Sequence, residues 1–315
     1  MLQRLRPPGL PTGAPARIAG VRVGIVDVGA NTVRLLVAAR DGDRLVSVRE
    51  ERTQLGLGEE IERTGELSAE KLEETAATAA TRVRTARKLR CAAVEVLVTS
   101  PGRQARNGGE LVSRLADATG ASTRVLTAQE EGELAWIGAV SAARTVPATV
   151  AVCDVGGGSA QIAVGSATEG PAWVRSVDIG SLRLTRRAFR EDPPTGGDIE
   201  RARQAIDDAF GEVTPPLPLG ALAVGGTARA LRRVAGDTLG PTELDAAVKE
   251  LRARSSRQIS KSYRVDRQRA RTITAGALIL GEIQRRLRVP LEVGRGGLRE
   301  GAALLLLDAT VAATA

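Results

Sequence analysis

The chain has 315 residues, 43% of them hydrophobic and 26% charged, with a formal net charge of +8. That length accommodates two domains with cores of their own, and the positive balance favours an anionic partner. With no histidine and two cysteines, the common zinc sites and any histidine-based triad are excluded. The 2% aromatic content removes the stacking platforms that single-stranded nucleic acid needs, so a polyanion without bases fits better than nucleic acid.

Lys71, Lys88, Lys249 and Lys261 are the only lysines, so arginine carries nearly all the positive charge. Residues 1–20 are rich in Pro, Gly and Arg and lack the apolar segment of a signal peptide. They read as a disordered tail. Cys91 and Cys153 read as buried and reduced, which points to the cytoplasm. No stretch is long and apolar enough for a membrane span; the run Ala302 to Leu307 is short and Asp308 follows it.

The first ordered stretch, Gly24 to Ala38, reads as strand, Asp27, a turn through Gly29, Ala30, Asn31 and Thr32, then a second strand. Arg44 to Glu50 alternates as a third strand, and a Gly-rich turn is expected through Gln54–Gly58. Ser68 is placed to cap a helix with Leu72, Ala76, Ala79, Val83 and Ala86 on one face. Val94 to Thr99 reads as a buried strand running into a loop at Thr99–Arg103, and a helix is expected from about Asn107 to Thr119. Ser122 to Leu126 is another short strand. This alternation indicates an α/β domain with a mixed sheet.

Thr127-Ala128-Gln129-Glu130 has capping-box spacing. Glu130 therefore has a structural role, folding back to the N-cap amide, while its neighbour Glu131 stays free for chemistry. The helix they open leads towards a second domain.

That domain begins at Val150 to Gly165, VAVCDVGGGSAQIAVG: a buried strand, Asp154, the turn Gly156-Gly157-Gly158-Ser159, and a second strand. Taken alone, three glycines are equally a plain hairpin turn or a nest of N–H groups for an anion. The repeat shifts the balance. Asp27 matches Asp154, Gly29 matches Gly156 and Thr32 matches Ser159, so two similar domains would each bring an acid and an N–H cradle to one cleft. That is the layout of the actin-like phosphotransferase superfamily. Trp173 to Asp178 reads as a strand, Gly180 to Phe189 and Asp198 to Phe210 as helices. Leu222 to Thr227 is a strand entering a glycine turn (Gly225, Gly226, Thr227) that opens a helix, a ready anion site. Two helices, about Glu243 to Arg254 and Arg267 to Arg288, lead to Gly297-Leu298-Arg299-Glu300-Gly301 and a last apolar helix.

Seven pieces together resemble the exopolyphosphatase / guanosine-pentaphosphate phosphohydrolase family from about residue 21: DVGANTVRLL (27–36), TSPGRQARN (99–107), EEGELAWIG (130–138), DVGGGSAQ (154–161), SVDIGSLRLT (176–185), GGTARAL (225–231) and GLREG (297–301). The resemblance implies an α/β fold of two actin-like (ribonuclease H-like) domains, with mixed sheets flanked by helices and the active site in the interdomain cleft. The expected division is 21–140 and 141–315. It further implies Glu131 as the base that activates water and Arg103 as a neutraliser of phosphate charge. Asp27 and Asp154 would be ligands of Mg2+. Substrate binding would fall to Gly29, Ala30, Asn31, Thr32, Gly156, Gly157, Gly158, Ser159, Gly226 and Thr227.

The implied substrate is inorganic polyphosphate, losing terminal orthophosphate by hydrolysis. Alternatives are guanosine pentaphosphate hydrolysis, a weakly active sensor of polyphosphate or guanosine tetraphosphate, and a sugar- or acetate-kinase-like activity. A homodimer stays open. Three positions depart from the family pattern: Ala30 replaces a serine, Gln54-Leu55-Gly56-Leu57-Gly58 lacks an arginine and a glutamate, and Gln161 replaces a glutamate. The last is expected to weaken magnesium binding without abolishing activity.

Overall fold

A computed structural model describes residues 20–313; the expected tail falls, except for Gly20, outside the described residues. The first half builds a five-stranded sheet from β1 (Arg22–Val28), β2 (Thr32–Asp41), β3 (Arg44–Gln54), β4 (Ala93–Val98) and β5 (Ser122–Val125), in the order β3-β2-β1-β4-β5. Its helices are α1 (Leu57–Thr64), α2 (Ala69–Lys88), α3 (Ser100–Gln104), α4 (Gly108–Thr119) and α5 (Ala128–Ala142).

The second half contributes β6 (Val150–Val155), β7 (Ala160–Ser166), β8 (Gly170–Val177), β9 (Gly220–Val224), β10 (Thr238–Leu239) and β11 (Leu291–Val293) in the order β10-β11-β9-β6-β7-β8. With it go α6 (Ser181–Ala188), α7 (Gly196–Phe210), α8 (Gly225–Ala235), α9 (Pro241–Arg252), α10 (Ser256–Tyr263), α11 (Arg267–Leu287) and α12 (Leu298–Ala312). In each sheet the first strand pairs antiparallel with the second and parallel with the fourth, β1 with β2 and β4, β6 with β7 and β9. The repeat read in the sequence is thus a repeat of sheet topology.

Strand periodicity explains how each sheet is covered on both faces. Val26, Val28, Val33, Leu35 and Val37 point to one side, against α2 and α4. Val23, Ile25, Leu36 and Ala38 point to the other, against Ala302, Ala303 and Leu307 of α12. In the second sheet Cys153, Val155 and Ile162 face the cluster built by α7, α9 and α11, while Val150, Val152 and Ala163 face Trp136 and Ala139 of α5. The inner faces are therefore covered by exchange: α5 lies on the second sheet and α12 on the first. The last helix, expected within 141–315, packs on the first sheet because Gly138 and Gly301 let α5 and α12 meet backbone to backbone. A methyl at Gly138 would stand 2.0 Å from the Gly297 carbonyl, and one at Gly301 2.0 Å from that of Leu134.

Other readings need correction. The expected turn at Gln54–Gly58 is the end of β3 followed by α1, which starts after Gly56 in left-handed conformation (φ 69°). The expected loop at Thr99–Arg103 contains the short α3. Cys153 is buried as expected, whereas Cys91 is half-buried; both are free thiols. Across the rim, Arg183 and Arg186 of α6 pair with Glu62 and Glu59 of α1, joining the two halves. Among the described residues no helix is long and apolar enough to cross a membrane.

Candidate active site

The two hairpins solve one hydrogen-bonding problem in the same way. Gly29 N–H closes its turn on the Thr32 carbonyl at 3.0 Å, and Gly156 N–H closes on that of Ser159 at 3.0 Å. The carbonyls that follow are occupied. Asn31 and Ala30 accept from Leu55, Gly56 and Gly58 at the entry to α1; Gly156 and Gly157 accept from Ser181, Leu182 and Arg183 at the start of α6. The N–H groups of Ala30 and Asn31, and of Gly157, Gly158 and Ser159, find no acceptor among the described residues. Two sets of free donors thus line one cleft with an interior volume of about 120 Å³, a pair of nests suited to an anion. The loops nearly touch, since a side chain at Gly157 would meet Asn31 Nδ2 at 2.9 Å.

Asp27 and Asp154 end β1 and β6 and line the same cleft. Neither carboxylate accepts a hydrogen bond from a described residue. Loss of water raises both pKa values; the main opposing influence is Arg34 for Asp27 and Arg229 for Asp154. Room for Asp154 depends on Gly225 (φ 81°), where a Cβ would stand 2.1 Å from its Oδ1. Two recessed, under-partnered carboxylates suit a hard divalent cation. Among the described residues no cluster of three or more His, Cys, Asp or Glu is arranged to hold a metal. Two carboxylates are a donor set that magnesium accepts, since it takes few carboxylates and completes its shell with water and phosphate oxygens.

Glu131 reaches the cleft from the first turn of α5 and is 5% exposed. Arg103 Nη1 donates to its Oε1 at 2.7 Å, and Gln161 Nε2 to its Oε2 at 2.9 Å. Burial pushes its carboxyl up to about 7; Arg103 opposes the rise, and Asp27 and Asp154 add to it. A carboxyl titrating there is suited to general-base work near neutrality. Glu130 closes the capping box, accepting from Thr127 N–H at 2.7 Å and from Arg124 at 2.6 Å. Its carboxyl is held below its ordinary value, first by the Thr127 backbone bond.

Of the residues singled out in the sequence, Asp27, Gly29, Ala30, Asn31, Thr32, Glu131, Asp154, Gly156, Gly157, Gly158, Ser159 and Gly226 all line this cleft. Thr227 does not. It is fully buried, its hydroxyl donates to the Val155 carbonyl at 2.7 Å and accepts from Arg269, and it supports the floor. Arg103 is also placed differently. Its Nη1 is committed to Glu131 and the Leu126 carbonyl, so it buttresses the acid. The cationic lining comes instead from Arg34, Arg229, Arg269 and Arg299, none of which was singled out for a role. Arg34 had a readable signal: it lies two residues beyond Thr32 on β2, opposite Asp27 in the register.

Two larger hollows adjoin the cleft. One, of about 360 Å³, shares Asn31 and Arg269 with it and includes Leu182, Phe189 and Ile259. The other, of about 510 Å³, shares all four cleft arginines.

The profile of the Ppx/GppA phosphatase family matches residues 36–309. Exopolyphosphatase 1 of Mycobacterium tuberculosis is 29% identical over 315 residues, covering 94% of this chain and 91% of that protein. The crystal structure of the Aquifex aeolicus member of the Ppx/GppA family superposes with a TM-score of 0.79 at 26% identity, covering 94% of this chain and 99% of that one. An exopolyphosphatase structure from Cytophaga hutchinsonii gives 0.83 at 21% identity, covering 91% and 98%, a likeness of fold. The fold class is the expected one, two actin-like α/β halves with mixed, helix-flanked sheets.

Proposed function

The chain belongs to the Ppx/GppA phosphatase family, and on that footing we propose that it hydrolyses phosphoanhydrides, releasing terminal orthophosphate from inorganic polyphosphate. One observation carries the reading: Glu131, buried and held by two donors, faces the same narrow cleft as two N–H nests and two recessed aspartates.

In this reading the terminal phosphoryl group sits on the N–H groups of Ala30 and Asn31 and of Gly157 to Ser159. Arg34, Arg229, Arg269 and Arg299 offset the charge of its oxygens and of its neighbour in the chain. Asp27 and Asp154 would hold magnesium, which when bound supplies further neutralisation of phosphoryl oxygens. Glu131 accepts a proton from water as the water oxygen bonds to phosphorus. The bridging P–O bond breaks, and the shortened chain leaves with the bridging oxygen as its new terminus. Positioning and charge stabilisation dominate such a reaction, and the cleft is built for both.

A second reading, hydrolysis of guanosine pentaphosphate, draws on the adjoining hollow of about 360 Å³, where Phe189, Leu182 and Ile259 offer apolar contact for a nucleoside. Phosphate release from polyphosphate, guanosine pentaphosphate and ATP, measured side by side with and without magnesium, tests both. The expected result is fastest, magnesium-dependent release from polyphosphate. Release confined to the nucleotides would replace the first reading with the second.

A further inference from the structure

Hydroxyls inside the helices of this fold satisfy themselves on the backbone behind them. Thr75 and Thr119 donate to the carbonyls of Lys71 and Leu115, one turn back. Hydroxyls that line the cleft are engaged as well. Thr32 accepts from Arg34 Nε at 3.0 Å, Thr99 donates to the Val28 carbonyl at 3.3 Å, and Ser159 Oγ lies 2.8 Å from Gln161 Nε2. Ser100 is the exception. It lines the same cleft and is 4% exposed, yet its hydroxyl has no hydrogen-bond partner among the described residues.

The reason lies in its place in the chain. Ser100 is the first residue of α3, so no earlier helical turn offers it a carbonyl. Among the described residues, the fully buried side-chain atoms without a partner are Arg82 Nε and Trp136 Nε1. The Ser100 hydroxyl is therefore recessed but opens onto the cleft. A recessed hydroxyl left unmatched costs stability, and at the wall of a site a ligand can match it.

What stands opposite fixes its direction. A Cβ at Gly158 would lie 2.7 Å from Ser100 Oγ, so the hydroxyl overhangs the nest of the second half. α3 is held in place across the cleft. Arg103 donates to Glu131 at 2.7 Å, and Gln104 Nε2 donates to Asp178 Oδ1 at 2.8 Å. One helix of 5 residues thus grips the acid and sets a neutral donor beside the free N–H groups of Gly158 and Ser159.

Resting on the phosphoanhydride reading above, we propose that the Ser100 hydroxyl donates a hydrogen bond to an oxygen of the terminal phosphoryl group, closing its seat from the first half. It donates without giving up its proton; the proton of the attacking water goes to Glu131. Because Ser100 touches the terminal group alone, its contribution is the same for short and long chains.

The test is Ser100→Ala in the full chain, compared with wild type in three measurements. These are kcat/KM for tripolyphosphate and for long-chain polyphosphate, the dissociation constant of orthophosphate by calorimetry, and Tm. Orthophosphate fills the seat of the terminal group whether or not the chemistry runs. In the variant kcat/KM should fall roughly tenfold, equally for both substrates, and orthophosphate should bind more weakly by about the same factor. Tm should equal or exceed that of wild type, because alanine removes a recessed hydroxyl that had no partner.

Unchanged kcat/KM, unchanged orthophosphate affinity or a lower Tm would each overturn the proposal while leaving polyphosphate hydrolysis by wild type standing. A wild type that cleaves no polyphosphate would overturn the reading instead. Weaker orthophosphate binding by the variant would then still uphold the Ser100 contact, and equal binding would overturn both.

Discussion

Gln161 Nε2 lies 2.9 Å from Glu131 Oε2, opposite the Arg103 contact of 2.7 Å on Oε1. The same amide nitrogen lies 2.8 Å from Ser159 Oγ and 3.2 Å from Ser176 Oγ, so its two hydrogens have three acceptors to serve. Gln161 thus holds the acid and ties it to the phosphate-facing hairpin. Replacing it by Glu would set a second carboxylate against Glu131, and like charges in contact favour retention of a proton. For Gln161→Glu the acid limb of kcat/KM should therefore move to higher pH. The sequence alone suggested a different signature, a lower magnesium requirement. A pH profile and a magnesium titration on the same variant separate the two; an unmoved pH profile would remove Gln161 from any role on Glu131.

Wild-type pH dependence follows from Glu131 itself. Its carboxyl is raised from 4.5 to about 7, chiefly by burial. The base is the ionised form, so kcat/KM should rise as pH passes through about 7. For stability the sign is opposite: the native state binds the extra proton between pH 4.5 and about 7, so this group's contribution is largest below that window and is lost across it. Relative to Glu131→Gln, wild type should lose stability between those limits in denaturant titrations. A kcat/KM limb near the ordinary carboxylate value would contradict both expectations.

The α5–α12 crossing is predicted to be intolerant of a single methyl. At Gly138 a Cβ would lie 2.0 Å from Gly297 O and 2.7 Å from Gly301 N, both backbone atoms that cannot rotate away. Gly138→Ala should cost roughly 1–3 kcal/mol or more, read as a lower Tm, and should slow turnover because α12 carries Arg299 into the cleft. Gly109→Ala on α4, where a Cβ meets nothing within 4 Å, should be neutral or slightly stabilising. Equal effects at the two positions would mean the helices have room to part.

Much of the site was readable because its signals are local. Asp27 and Asp154 each follow a buried strand and precede a glycine turn, and Glu130 and Glu131 are separated by capping-box spacing. What was hidden depends on long-range convergence. Arg34, Arg229, Arg269 and Arg299 come from four elements, and in an arginine-rich chain nothing local marks the few that meet. The apolar face of α12 would suit either sheet; the backbone contact through Gly138 and Gly301 decides which. Thr227 stands beneath the cleft because a hydroxyl in a helix's first turn faces a ligand or the floor according to the strand beneath it, here the Val155 carbonyl.

The assignment of roles to the two adjacent acids is the centre of the account, and Glu131→Gln measured beside Glu130→Gln tests it most directly. Polyphosphate binding by calorimetry and phosphate release would be followed on both full-length variants. Glu131→Gln should bind substrate close to wild type and release essentially no phosphate. Glu130→Gln should keep turnover and lose on the order of 1 kcal/mol of stability through the weakened cap. Turnover retained in Glu131→Gln, or lost equally in both variants, would contradict the assignment of Glu131 as the base.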